Sequence, residues 1–262
     1  MRSIWSGSIS FGLVNIPVNL FSATNQERID LDMLHKKDMS KIRFARVCES
    51  EEKEVPYQEI IRGYQLEDGQ YVPIEKSDFE KVDVKKSKTI EIQDFAQVEQ
   101  IDSIYFEKPY YLEPGKNADK PYALLRDALK KSKKAALAKF VLRNKEHLSV
   151  IKPMGRILIL NQLRFQSEIR SPVDLSLPDH KFEEGVELDM AIEIVDKMSQ
   201  PFRPELYKDT YNEVLQKLID EKAKGKKVKV HGKEPEPTEV GDLMAKLKES
   251  LKQTKTQPKA AA

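Results

Sequence analysis

A mixed, mainly β fold that ends in helices is the architecture this chain of 262 residues predicts, on three observations. Short segments of alternating apolar and polar residues recur from Trp5 to about Leu160, the period of half-buried strands. An irregular stretch from Leu163 to Pro178 follows, and its Pro172 and Pro178 mark the departure from the β core. Beyond it the apolar residues recur every three or four positions, the period of a helix face.

Met1 to Ser22 reads as the strand pair that begins the core. Ser3, Ser6, Ser8, Ser10 and Asn15 break any apolar run that a signal peptide would need. Ile4, Ser6, Ser8 and Ser10 alternate with Trp5, Ile9 and Phe11, while Gly7 and Gly12 allow a close backbone approach or a bend. Pro17 interrupts the ladder of the second strand, Leu13 to Phe21. Another strand is expected through Ile29 and Leu31. Lys41 to Val47 sorts as one more, with Lys41, Arg43, Ala45 and Val47 on one face and Ile42 and Phe44 on the other.

Glu49 to Glu54 is an acidic loop, and an extended segment runs from Val55 to Tyr64. Leu66 to Val72 reads as a hairpin, because Asp68-Gly69 suits a type I′ turn. Ser77 and Glu80 form a capping box for a short helix to Val84. Ile90 to Phe95 and Ile104 to Leu112 are strands, and Pro121 to Lys131 is a helix that ends near Ser132. Ala135 to Arg143 has two readings. As a strand it puts Ala136, Ala138, Phe140 and Leu142 on one face and Leu137, Lys139, Val141 and Arg143 on the other; its alanines equally favour a helix continuing to Leu142.

His147 to Ile151 and Arg156 to Leu160 form a hairpin, and the second, the most apolar strand of the chain, should be central. Val186 to Ser199 is a helix with Leu188, Ile192, Val195 and Met198 on its apolar stripe. A second helix starts at Arg203-Pro204-Glu205 and carries Tyr207, Tyr211, Val214, Leu215, Leu218 and Ile219. From Lys222 onward a flexible basic tail is expected, apart from an amphipathic turn at Val240 to Leu247.

Composition excludes several classes. Cys48 is the sole cysteine, so no intrachain disulfide is possible and a reducing cytosol is the natural compartment. One cysteine cannot make a structural zinc site. Its neighbour Arg46 would at most mildly activate the thiol. No run approaches the roughly eighteen apolar residues of a membrane span. No phosphate-binding glycine loop, nucleophile elbow or zinc-protease motif occurs, and His35, His147, His180 and His231 lie far apart in polar stretches. An enzyme using a lysine as Schiff-base nucleophile would rest on lysine abundance alone. The expectation is therefore no enzyme, no cofactor, no metal, no membrane and no small-molecule substrate.

Charge says more by its distribution than by its total. The formal net charge is only +2, yet residues 221–262 hold eleven lysines against six acids. Lys36 to Arg46 holds Lys36, Lys37, Lys41, Arg43 and Arg46 against Asp38 alone. Taken by itself such a segment also reads as a solvated edge strand, where lysine and arginine discourage aggregation.

Three stretches carry a resemblance. IWSGSISFGLVNIPVNLFSAT, GYQLEDGQYVPIEKSDFEKV and DMAIEIVDKMSQPFRPELYKDTYNEVLQKLIDEKAKGK resemble the bacterial Ku family, the DNA-end-binding proteins of non-homologous end joining. The resemblance spans residues 1 to about 225. It implies a β-barrel core over 1–178 that includes extended bridge loops at about 34–72 and a C-terminal helical arm over 179–225, while the basic tail over 226–262 is read from charge composition alone. It further implies a ring-shaped homodimer that threads double-stranded DNA from a broken end, protects and bridges ends, and recruits and stimulates the ATP-dependent DNA ligase D. The implied location is the bacterial cytoplasm, in association with the nucleoid. One departure concerns metal: where the family often has a second cysteine, three residues after Cys48, this chain has Glu51.

A ring that accepts any sequence should hold phosphates and ignore base edges. Lys36, Lys37, Lys41, Arg43 and Arg46 fall where the family's bridge begins and are the expected phosphate contacts, joined by Arg62 on the returning strand. Lys139 and Arg143, on one face of the candidate strand, come second, and Lys130, Lys131, Lys133 and Lys134 third. The alternative is a protein-interaction scaffold whose basic tail alone binds nucleic acid.

Overall fold

The computed structural model describes residues 1–25, 28–75, 77–78, 81, 88–179, 184–226 and 243–256. The chain divides into two compact units, Met1–Glu27 with Leu31–Val173, and Arg28–Asp30 with Asp174–Ala262. The helix expected at Ser77 to Val84 lies mostly outside the described residues.

The first unit contains strands β1 (Trp5–Phe11), β2 (Val14–Ser22), β3 (Arg62–Gln65), β4 (Tyr71–Ile74), β5 (Thr89–Ala96), β6 (Phe106–Pro114), β7 (Ala135–Leu142), β8 (Lys145–Met154) and β9 (Ile157–Leu163). Helix α1 (Asp119–Ser132) joins β6 to β7. Seven strands close a barrel in the order β1-β2-β6-β9-β8-β7-β5. The closing pair, β5 with β1, runs parallel and sets Ile9 opposite Ile90. The other barrel pairs are antiparallel.

The opening strand pair is as the alternation predicts, with Ile9, Ile16, Val18 and Leu20 buried. Gly7 is there for space: a Cβ would lie 2.3 Å from both the Lys88 carbonyl oxygen and the Trp5 ring. Gly12 turns the chain at φ +58.

β7 resolves the two readings of Ala135 to Arg143 in favour of the strand. Lys133 caps α1 at φ 54, and Ala136, Ala138, Phe140 and Leu142 are buried while Leu137, Lys139 and Val141 are half-buried. Ladders to β5 on one side and β8 on the other outweigh the helix propensity of the alanines. Arg143 is not in the strand. It forms the β7–β8 turn with Asn144, both at positive φ (54 and 64), as a type I′ turn requires. β9 lies between β6 and β8 with five of its seven residues buried, the central strand its composition promised.

The core fills the barrel with side chains and includes Tyr122, Leu125 and Leu129 of α1. The Tyr122 hydroxyl donates to the Leu112 carbonyl at 2.6 Å and accepts from the Leu158 N–H at 2.7 Å, tying α1 to β6 and β9. Tyr122→Phe would leave both backbone groups unpaired in a buried place and is expected to cost about 1–3 kcal/mol. Denaturant midpoints of the two proteins check this, and equal midpoints would contradict it.

His147 is not in polar surroundings after all. It is half-buried with its ring centroid 5.5 Å from that of Phe140. Burial, the largest influence, pushes its pKa below the ordinary 6.5. The unfolded chain then binds more protons just below pH 6.5, so this residue's contribution to stability falls as pH drops through that range. Carboxylates add their own losses at lower pH in any variant. His147→Gln is expected to flatten the fall in denaturant midpoint between about pH 6.5 and 5; an unchanged slope would contradict this.

The second unit contains α2 (Val186–Met198), α3 (Thr210–Ala223) and α4 (Leu243–Thr256). α3 does not begin at Arg203-Pro204. Pro204–Leu206 makes a separate 3-10 turn, and the Asp209 carboxylate caps the helix by accepting from the Asn212 N–H at 3.0 Å. Where the sequence suggested one amphipathic turn at Val240 to Leu247, α4 is a helix of fourteen residues.

Candidate nucleic-acid interface

The chain leaves the barrel after β2 and returns at β5, the two strands that flank β1. The excursion between them includes residues 31–75 and carries six of the eight predicted contact residues. No strand forms at Ile29 and Leu31, and Lys41 to Val47 is not a strand either. Among the described residues the excursion shows two isolated bridges, Leu34 with Lys41 and Val47 with Glu54. Alternation supplied the pattern of a strand, but no neighbouring strand supplies a ladder.

Two pinned turns hold this segment in place. In the first, the His35 N–H donates to the Ser40 carbonyl at 2.8 Å, and Met39 takes φ 57. The Asp38 carboxylate organises it, accepting from the Ser40 N–H at 3.1 Å and the Ser40 hydroxyl at 2.8 Å, and meeting His35 Nδ1 at 2.8 Å. Those bonds, the Ser40 N–H foremost, hold its pKa below the ordinary carboxylate value. Lys36 and Lys37 ride this turn, exposed.

In the second turn the Cys48 N–H donates to Lys53 O at 2.9 Å, and the Glu52 N–H to Cys48 O at 2.9 Å. The Cys48 thiol is held below its ordinary pKa, first by the Ser50 hydroxyl at 3.2 Å and then by the backbone N–H groups of Glu51 and Ser50. Arg46 is not the cause. Its guanidinium lies over the Tyr57 ring, 5.1 Å from the centroid.

Between the turns, Arg43 and Arg46 stand on an exposed stretch outside any ladder. Lys41 pairs with Asp32 at 2.7 Å, with both side chains well exposed. Such a pair is worth at most about 1 kcal/mol, so a phosphate can displace the carboxylate at small cost. Among the described residues, the side chains of Lys36, Lys37 and Arg43 make no ion pair.

Arg62 opens β3 opposite Ile74 of β4. The hairpin forms as predicted, by a different turn. The Gly69 N–H donates to Leu66 O, and only Gly69 (φ 85) has positive φ there, which makes a type I turn closed by a left-handed glycine.

The two remaining candidates lie on the barrel. Lys139 faces Glu91 of β5 in register and approaches Glu146 of β8 at 4.0 Å, so carboxylates flank it on both sides. Arg143 sits exposed at the tip of the β7–β8 turn. Thus five candidates share one continuous segment, a sixth follows on the hairpin, and two stand elsewhere. The sequence reading missed Asp38 and Tyr57 as supports of the basic segment. The Asp38-Met39-Ser40 run, with an aspartate two residues before a hydroxyl, is the signal that marks such a turn. Among the described residues, no group of three or more His, Cys, Asp and Glu side chains is placed to hold a metal ion. None of the described helices is long and apolar enough to cross a membrane.

These features define a class: a closed β barrel whose chain departs between strands into a long, exposed, basic excursion and ends in helices. The model of the family described as Ku70/Ku80 beta-barrel domain matches residues 10–190. The chain belongs to the Ku family. It is 42% identical over 258 residues to the non-homologous end joining protein Ku of Opitutus terrae, covering 97% of this chain and 92% of that protein. With the protein of that name from Mycobacterium tuberculosis it shares 39% identity over 261 residues, 96% of this chain and 95% of the other. The Bacillus subtilis protein of that name is 35% identical over 258 residues, 97% of this chain and 83% of its own length.

Proposed function

We propose that this chain binds the ends of double-stranded DNA without regard to sequence, in repair of double-strand breaks by non-homologous end joining. Two copies close a ring around the duplex, protect and bridge the ends, and recruit and stimulate DNA ligase D. The observation that carries the reading is the segment Lys36 to Arg46, where five cations stand exposed outside any sheet. Cations so placed contact phosphates, which carry no sequence information. Membership of the Ku family and the names of the relatives support the repair pathway.

A second copy is favoured by the same excursion. It exposes Phe44 at 82%, Tyr57 at 73% and Ile61 at 65%, along with Leu31, Met33 and Tyr64. Large apolar side chains crowded on one exposed segment mark an interaction surface. The ligase rests on the family likeness.

Sedimentation equilibrium is expected to give the mass of two chains, since one excursion cannot close a ring alone; a particle that stays monomeric while binding duplex would contradict the dimer. The scaffold reading is separated by replacing the lysines of residues 222–259 with glutamine. If the excursion holds the DNA, most duplex affinity survives, whereas its loss would make the tail the binding site.

A further inference from the structure

Helices α2 and α4 pack against each other and carry opposite charge. α2 holds Glu187, Asp189, Glu193 and Asp196 against Lys197, and α4 holds Lys246, Lys248, Lys252 and Lys255 against Glu249. The apolar contribution is thin. Met244, Leu247 and Leu251 of α4 are only half-buried, as are Leu188, Ala191 and Ile194 of α2. A fourteen-residue helix is marginal in water without a partner. By sequence α4 carries a net of three positive charges and α2 a net of three negative ones, and salt weakens any attraction between helices so charged. Duplex DNA presents one negative charge per roughly 1.7 Å of its axis, a far denser array than α2.

We propose that α4 is a basic helix stored on acidic α2, and that bound duplex draws it away to the phosphate backbone. α2 then acts in the free protein as a weak substitute for DNA that restrains the tail. This rests on the DNA-binding reading above. It adds an exchange of partners by one helix, so that part of the affinity for DNA is offset by the contact that must be broken.

The test uses a 40-base-pair duplex and the full chain. Removing the α2 charges with E187Q, D189N, E193Q and D196N together is expected to tighten duplex binding about three- to tenfold at 50 mM salt. The gain should vanish when K246Q, K248Q, K252Q and K255Q are also present. Unchanged affinity, or a gain that survives the α4 substitutions, overturns the proposal. Hydrogen exchange on the unaltered chain gives a second reading that needs no variant to fold. The amides of Val186–Met198 are expected to exchange faster when duplex saturates the protein, and those of Leu243–Thr256 faster when salt is raised without DNA. Unchanged exchange in α2 with duplex bound overturns the proposal alone; failure to bind duplex in any variant overturns the DNA reading and the proposal with it.

Discussion

Lys41→Glu combined with Arg43→Glu is expected to lower duplex affinity by at least about a hundredfold at 100 mM salt, equally for every sequence tested. Each phosphate contact releases condensed counterions on binding, which at that salt is worth roughly a tenfold gain. Two copies would lose four contacts together and gain four repelling carboxylates. The same variant should flatten the dependence of log affinity on log salt by about 0.9 per lost contact. With about six or more contacts in the unaltered dimer, affinity should fall about 10³-fold between 50 and 200 mM salt. The fold should be untouched, because both side chains are exposed and Lys41 gives up only its surface pair with Asp32. Fluorescence anisotropy against several unrelated duplexes measures all of this. A loss confined to some sequences would mean base readout, and no loss would remove the excursion from the interface.

The largest expected effect on stability lies in the barrel. Phe140→Ala should cost about 3–5 kcal/mol, read as a fall in denaturant midpoint at unchanged slope. Phe140 is 1% exposed. Its ring meets Trp5 edge-on with centroids 6.5 Å apart and tilts against His147. Its neighbours on the inner face of β7 are Ala136 and Ala138, whose methyl groups cannot swing in to fill the space. That places the cost toward the upper part of the range. A loss below about 1 kcal/mol would mean that the barrel collapses around the gap and that its packing is looser than the burial implies.

What the sequence discloses and what it hides follow from where the stabilising partners sit. β7 was half legible: burial on one face is written into every second residue from Ala136 to Leu142, but its alanines allowed a helix as well until the ladders to β5 and β8 decided for the strand. Helix α1 was legible because Pro121 suits a first turn and Leu125 and Leu129 stack on one face, although it begins two residues earlier, at Asp119. Lys41 to Val47 misled for the opposite reason. Its alternation is real, but a strand also needs a neighbour, and no pattern within the segment reports that the neighbour is missing.

The same limit explains α4. Its lysines give the composition of a solvated tail, while the half-buried Met244, Leu247 and Leu251 become a stripe only beside α2. Charge composition did locate the basic segment. It did not tell Lys36, Lys37 and Arg43, which make no ion pair among the described residues, from Lys139, whose flanking Glu91 and Glu146 come from other strands.

In its proposed function this protein takes hold of DNA by its ends and encircles it. Binding to a linear duplex and to a closed circle of the same sequence, at equal base-pair concentration and equal salt, tests it most directly. The linear molecule should be bound and the circle left almost free, because a closed ring of protein has no way onto a duplex without an end. Equal binding to both would contradict threading and leave the basic segment as a surface that grips DNA from the side.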